Sequence, residues 1–203
     1  MSDNLISLIG AGGHSRVVIE LLRYHYYAVT GIYDDSYFEG IEETIMGVGI
    51  VGKLADASGP MVLAMGNNAE RKNFYEQHLD RVIQKNILHP KAYFETTTRM
   101  GFSNIVMANA YANSMATFGN NNIINTGSIV EHECKIGSHN HISIGAVVGG
   151  RVTIGDTCFI GARAVVKDQV SICDDVIVGA GGVVIKDITE PGTYVGNPVR
   201  KVK

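Results

Sequence analysis

The sequence predicts two domains of different class, a short doubly wound α/β unit over residues 1–88 and a parallel β-helix over residues 89–203. Three observations predict them. Every sixth residue from Met100 to Val184 is apolar, Ala112 being the one small member, and no residue is inserted or lost along that run. Glycines recur at a spacing of eighteen, at Gly101, Gly119, Gly137 and Gly155 and again at Gly161 and Gly179. The first part of the chain reads strand, glycine-rich loop, helix, strand, the opening of a parallel α/β sheet.

The α/β elements follow in order. Leu5–Ile9 is an apolar strand that runs into Gly10-Ala11-Gly12-Gly13-His14-Ser15. Val17, Val18, Leu21 and Leu22 then fall on one face of a helix. Val29–Tyr33 reads as a second strand stopping at Asp34-Asp35, and Met61–Met65 as a third, followed by Gly66-Asn67-Asn68 and a helix from about Ala69 to His78. Val82–Leu88 reads as a fourth strand, and His89-Pro90 marks the change of architecture, because the residue before proline is held extended.

A six-residue period fits neither the 3.6-residue helix nor simple sheet alternation. It fits a chain wound as a prism, with one short strand and one inward aliphatic per side and three sides to a coil of eighteen. About five coils at roughly 4.8 Å each make a prism about 24 Å tall. Glycine at a fixed corner suits a tight turn or a positive φ. Cys134 and Cys158 occupy the fifth place of their hexads, where Ala, Ser and Val also occur, and read as small inward side chains. The ladder closes at Val184–Asp187, and Pro191-Gly192 and Gly196-Asn197-Pro198 suggest an ordered C-terminal loop.

Composition narrows the function classes. A net charge of −3 with no basic block gives no support to nucleic-acid binding. No apolar run approaches the ~18 residues of a membrane span, and the first residues read as a strand rather than a signal peptide. Three cysteines without a CxxC pattern argue against a disulfide framework or a cysteine zinc site and point to a reducing, cytoplasmic setting.

Candidate chemistry sits in both domains. The turn after the first strand exposes N–H groups at a helix start, which suits a pyrophosphate, and acids at a strand end such as Asp34-Asp35 suit a ribose or base. His14 is placed either to assist the phosphates or to fill the first helical turn. In the hexads, Glu131-His132-Glu133 surrounds one imidazole with two acids, and both can reach it only if the chain turns there. Gly150 lies eighteen residues after His132, one coil higher on the same side, where its N–H could meet an oxyanion. His141 lies nine residues from His132, half a coil, so the two face different sides and could cooperate only between chains, as in a homotrimer with interfacial sites. Arg200, Lys201 and Lys203 form a basic C-terminal tail.

The motifs Gly10-Ala11-Gly12-Gly13-His14, Asp34-Asp35, Gly66-Asn67-Asn68 and Asn125-Thr126-Gly127-Ser128-Ile129-Val130-Glu131-His132-Glu133-Cys134, with the hexads that follow, carry a resemblance over nearly the whole chain. It resembles the bacterial nucleotide-amino-sugar N-acetyltransferases of the UDP-4-amino-sugar, bacillosamine type. It is also similar to GDP-perosamine N-acetyltransferases and sialic acid O-acetyltransferases. The resemblance implies a left-handed β-helix and direct acetyl transfer from acetyl-CoA, without a metal, to the 4-amino group of a UDP-linked dideoxy sugar. It implies His132 as general base with Glu133 raising its basicity. His141, Gly150, Ala162 and Ala180 are implied as acetyl-CoA contacts, and Gly12, Gly13, His14, Asp34, Asp35, Gly66 and Asn67 as nucleotide-sugar contacts. The chain departs from the pattern at Ala180, where glycine is common, and at Ala69, where an acid can occur. The basic tail Arg200, Lys201 and Lys203 reads equally as a partner of the CoA phosphates or as a frayed end.

Three other readings fit less of the sequence. An NAD-dependent oxidoreductase is opposed by Ser15 at the third glycine position and by the shortness of the α/β unit. A zinc-dependent prism lacks histidines stacked on one side, since Gly150 and Asp168 lie above His132. A non-catalytic nucleotide-sugar-binding trimer leaves Glu131-His132-Glu133 unexplained.

Overall fold

The computed structural model describes residues 4–203, and its contacts divide the chain into two units, the first ending at Ile87 and the second running Leu88–Lys203. The first unit is built on β1 (Leu5–Ile9), α1 (Gly13–Tyr24), β2 (Ala28–Tyr33), β3 (Thr44–Ile45), β4 (Val48–Gly52), β5 (Met61–Leu63) and α2 (Asn68–Gln77). Its sheet has the order β3-β4-β2-β1-β5. All pairs are parallel except the β3–β4 hairpin.

Ile6 to Ile9 of β1 are buried on both faces, as expected for a central parallel strand, which accounts for its unbroken apolar run. The apolar face of α1, with Val18, Leu21 and Leu22, is buried. Phe74 and Tyr75 of α2 pack with Ile9, Met61, Leu63 and Val82. Successive connections from β1 lead first to β2 on one side and later to β5 on the other, so the strand order reverses at β1. Ligands of open α/β sheets bind at such a point, outside the carboxyl ends of the strands.

Two details differ from the sequence reading. Val82–Leu88 is not a strand of this sheet: Val82 makes a single bridge to Met61, and Ile87–Leu88 is the first rung of the β-helix ladder. The β3–β4 hairpin, rich in glycine and only two residues wide at Thr44–Ile45, carried no periodic signal.

The second unit is a left-handed parallel β-helix of hexapeptide repeats. Two-residue strands recur every six residues and pair in register with the strands eighteen residues away, as Ile129–Val130 does with Tyr111–Ala112 below and Val147–Val148 above. Three flat sheets result, and the ladder residues Val106, Ile124, Val130, Ile142, Val148, Ile160, Val166 and Val178 are all fully buried in one core.

The corners correct the expectation for glycine. Every sixth residue from Ser103 to Gly181 has a φ between 54° and 66°, yet only Gly127, Gly145 and Gly181 of that series are glycines. The eighteen-spaced Gly101, Gly119, Gly137 and Gly155 have ordinary φ, and their role is steric. A Cβ at any of them would lie within 3 Å of the backbone or side chain of the coil above.

The inward fifth place is likewise not uniformly apolar. Asn104, Asn122 and Asn140 form a fully buried column. The Oδ1 atoms accept the backbone N–H one coil up, from Asn122, Asn140 and Cys158 at 2.8, 2.8 and 2.6 Å. The Nδ2 atoms donate to Gly119, Gly137 and Gly155 carbonyls. At the C-terminus the expected loop is instead a strand, Gly192–Gly196, added parallel to Val176–Val178 and folded back as a hairpin with Val199–Lys201.

Candidate active site

In the β-helix, the strand Ile129–Val130 ends in a turn over Glu131, His132 and Glu133. Glu133 is one of the left-handed corner residues, with φ 58°, and this turns its side chain back beside the imidazole. His132 Nδ1 lies 3.1 Å from Glu133 Oε2. Glu131 points elsewhere: its Oε2 accepts 2.6 Å from Asn113 Nδ2, one coil below. The coil geometry thus assigns one acid to the imidazole and the other to the scaffold.

A carboxylate can only accept, so the shared proton is on His132 Nδ1 and the lone pair of Nε2 is free to act as a base. The hydrogen bond from His132, and then that from Arg151, hold the Glu133 carboxyl below its ordinary range. That keeps Glu133 an anionic acceptor beside the ring. Both side chains are about half exposed, at 48% and 41%.

Gly150 lies directly above the ring. A Cβ at that position would sit 2.7 Å from His132 Nε2 and 2.8 Å from Cε1. Any side chain there would occupy the space in front of the basic nitrogen. The backbone adds a tie, Arg151 N–H donating to the His132 carbonyl at 2.9 Å.

His141 lies on a different side of the prism. It begins the strand His141–Ile142, in the sheet that contains Ile123 and Phe159. It is buried, its Nε2 is 3.0 Å from Asn125 Nδ2, and its ring meets the Phe159 ring edge-on at 5.0 Å. Ala162 and Ala180 occupy the corner that follows this sheet, one coil apart and linked by the bond from Gly181 N–H to the Ala162 carbonyl. The chain therefore brings His132, Glu133 and Gly150 together at one edge and places His141, Ala162 and Ala180 at another. The sheet containing Tyr111, Ile129, Val147 and Val165 separates the two groups.

In the α/β unit a cleft of about 620 Å³ opens at the carboxyl ends of β1, β2 and β5. Gly10, Gly12, Gly13, His14, Asp34, Asp35 and Gly66 line it, as do Leu54, Met65, Glu70, Asn73 and Phe74, which no sequence motif marks. Gly12 precedes α1 with no side-chain cap, which leaves the helix start open to an anion.

Asp34 is engaged by the backbone N–H groups of Ala11 and Ser36. Its Oδ2 accepts from Ala11 N–H at 2.7 Å and its Oδ1 from Ser36 N–H at 2.9 Å, so it clamps the glycine loop to the end of β2. Burial raises its pKa, but hydrogen bonds from Ser36 and Ala11 outweigh that and leave it below the ordinary value. Asp35 accepts from Leu54 N–H at 3.3 Å. Asn67 caps α2, accepting from Ala69 and Glu70 N–H, and is not part of the cleft wall.

The fully buried Arg71 was not legible as a site residue. It donates to the Met65 carbonyl at 3.1 Å and to Asn68 Oδ1 at 2.8 Å, bracing the loop that carries Gly66. Burial, then the charge of Arg71, lowers the His14 pKa to about 4, so His14 is neutral at physiological pH.

No helix among the described residues is long and apolar enough to cross a membrane, and no three His, Cys, Asp or Glu among them converge on a metal position. Residues 5–78 match the PglD N-terminal domain family, and residues 151–186 match the hexapeptide repeat of succinyl-transferase. A search of curated proteins found no match. Among solved structures, a histidine variant of GDP-perosamine N-acetyl transferase from Caulobacter crescentus, in complex with CoA and GDP-perosamine, is 30% identical with a TM-score of 0.90. That match covers 100% of this chain and 98% of the other. The acetyltransferase domain of PglB from Neisseria gonorrhoeae is 28% identical with a TM-score of 0.90, over 98% and 100% of the two chains, and has also been seen with acetyl coenzyme A. WeeI from Acinetobacter baumannii, 24% identical, shares the fold with a TM-score of 0.88 over 98% and 99%.

Proposed function

The chain belongs to the nucleotide-amino-sugar acetyltransferases, acetyl-CoA-dependent enzymes that N-acetylate amino sugars, and from that premise we propose that it acetylates the 4-amino group of a UDP-linked 4-amino-dideoxy sugar with His132 as general base. The observation that carries the base assignment is the open space at His132 Nε2. Nδ1 is engaged by Glu133, and Gly150 leaves uncovered the volume that a Cβ would fill.

The attacking amine must shed a proton as it adds to the thioester carbonyl. Nε2 takes that proton, Glu133 steadies the imidazolium, and the Gly150 N–H is the proposed donor to the oxyanion; collapse of the tetrahedral intermediate breaks the C–S bond and the imidazolium returns the proton to the departing CoA thiolate. The thioester is already activated, so no covalent enzyme intermediate is needed. A positioned histidine of this kind contributes ~10²–10⁴-fold.

The nucleotide sugar is assigned to the α/β cleft, with its diphosphate at the Gly12-Gly13 helix start and Gly66 and Asp35 at the rim. Asp34, clamped to Ala11, shapes that loop. Acetyl-CoA is assigned to the edge carrying His141, Ala162 and Ala180. Because that edge and the His132 edge flank one face, we infer a homotrimer in which one chain's His132 works with the acetyl-CoA edge of its neighbour. The character of the face supports this. Tyr93, Tyr111, Ile129, Val147, Val165 and Val183 point outward from it, with Tyr93 61% exposed, whereas the next face carries Arg99, Thr117, Lys135, Thr153 and Ser171. Cys134, Cys158 and Cys173 form no disulfide among the described residues, which suits a reducing cytoplasm.

A GDP carrier is the second reading, favoured by the 30% identity to an enzyme bound to GDP-perosamine. The test is mass spectrometry of products formed from acetyl-CoA and a panel of UDP- and GDP-linked 4-amino sugars together with free sialic acid. A product 4-N-acetylated on UDP-sugars is the expected result. Preference for the GDP series replaces the carrier assignment, and transfer only to sialic acid hydroxyls overturns the amino-sugar reading.

A further inference from the structure

Arg151 stands one coil above Glu133, and its Nε–H donates at 2.9 Å to Glu133 Oε2, the oxygen that also faces His132 Nδ1 at 3.1 Å. A single carboxylate oxygen is therefore shared between a permanent cation and an imidazole that gains and loses charge. From this juxtaposition we propose that Arg151 is a positioning residue that sets the working pH of the acetyl transfer, by holding Glu133 in place and by offsetting its negative charge toward His132. The inference rests on the reading of His132 as general base.

The action of Arg151 on the dyad has two parts. Glu133 sits at an exposed corner, where a lone carboxylate samples several rotamers. The Arg151 bond selects the one that meets Nδ1, and the Arg151 backbone N–H fixes the same turn from above through the His132 carbonyl. The second part is electrostatic. An isolated Glu133 would stabilise the imidazolium and raise the pH below which the base is lost. A guanidinium on the same oxygen opposes that, leaving the dyad oriented but less reluctant to deprotonate.

The other charged groups around the imidazole do not substitute for it. Glu131, on its own coil, is turned to Asn113. Below, Tyr111 hydrogen-bonds Glu95, and two coils above, Asp168 is met by Gln169 Nε2 at 3.0 Å. Arg151 is the cation in contact with the dyad among the described residues. At these half-exposed positions solvent and ions screen the pair, so the displacement is modest and salt-sensitive.

The experiment compares pH profiles of kcat/KM for wild type, Arg151→Gln, Arg151→Lys and His132→Ala, using acetyl-CoA and the best acceptor of the panel, with circular dichroism melts to verify folding. The acidic limb reports protonation of the base, since Nε2 must be unprotonated to act. In Arg151→Gln the limb is expected to move up by about 0.5 pH unit at low salt, an activity loss of about 3-fold on that limb, while Arg151→Lys stays near wild type. The difference should shrink at 0.5 M salt. The pH dependence of His132 carbethoxylation, followed by peptide mass spectrometry, provides the same pKa without turnover and is expected to move in parallel. An unmoved limb and unmoved modification profile in a folded Arg151→Gln protein, with His132→Ala inactive, overturns the role of Arg151 alone. An active His132→Ala overturns the base assignment and this inference together.

Discussion

The two units use their side chains in opposite ways. In the α/β unit residues with functional promise in the sequence are absorbed by the scaffold: Asp34 clamps the glycine loop and Asn67 caps α2, while Arg71, which no motif marks, braces the loop after β5. The cleft they shape is lined by four glycines and a neutral His14, with Asp35, Glu70, Asn73 and the apolar Leu54, Met65 and Phe74 around them. In the β-helix each residue has an address fixed by its place in an eighteen-residue coil, and the polar side chains at one address stack with those one coil away. The proposed function draws on loop shape in the first unit and on the vertical neighbours of a single corner in the second.

The largest effect expected from this contrast is on stability of the stacked unit. Asn122→Ala removes the acceptor of the Asn140 N–H and the donor to the Gly137 carbonyl at the centre of the buried column. Orphaned buried groups of this kind cost about 2–4 kcal/mol, and the β-helix transition in a thermal melt should fall accordingly while the helical signal of α1 and α2 is lost at its usual temperature. An unchanged β-helix transition would break the idea that addresses are enforced by these ladders.

Next in size is Gly150→Val. The added branches must push the imidazole aside or block Nε2, and a displacement near 1 Å at a reacting group costs about 100-fold in kcat. Steady-state assays should show that loss with the KM for the nucleotide sugar little changed. Near-normal turnover would mean that the space above His132 is not where the reaction occurs.

The smallest effect sharpens the comparison from the other side. His14 is held near pKa 4, below the ordinary 6.5, so the unfolded chain binds a proton there that the folded unit does not. Stability from this group is complete above pH 6.5 and is lost as pH falls toward 4, by about 1–3 kcal/mol. Because the α-helices lie in the first unit, circular dichroism at 222 nm reports its unfolding, and His14→Gln should flatten the dependence between pH 4 and 6.5. A dependence identical to wild type would show that His14 does not titrate on unfolding.

The same contrast governs what could be read from the sequence. Six-residue spacing names an environment, so Val130, Ile142 and Val148 were placed in the core and Gly150 beside His132 by counting alone. Counting also held the signal for the asparagine column, since Asn104, Asn122 and Asn140 are eighteen apart, but the fifth place was read from its apolar occupants. The corner glycines were legible as a period and not as a cause, because crowding from the coil above is a three-dimensional fact. In the α/β unit the strands and helices were legible, while the clamp from Asp34 to Ala11 spans 23 residues and follows from no periodicity. Arg71 looks like an ordinary surface cation in a polar helix, and its burial depends on how the α2 start meets the β5 loop.

The central claim is that chemistry belongs to His132 at the corner shared with Glu133 and Gly150. Turnover of acetyl-CoA with saturating amino-sugar acceptor by folded His132→Ala, followed by mass spectrometry of the acetylated product, tests it most directly. A fall of ~10²–10⁴-fold with an unchanged melting profile is the expected result. Turnover within a few-fold of wild type would contradict it.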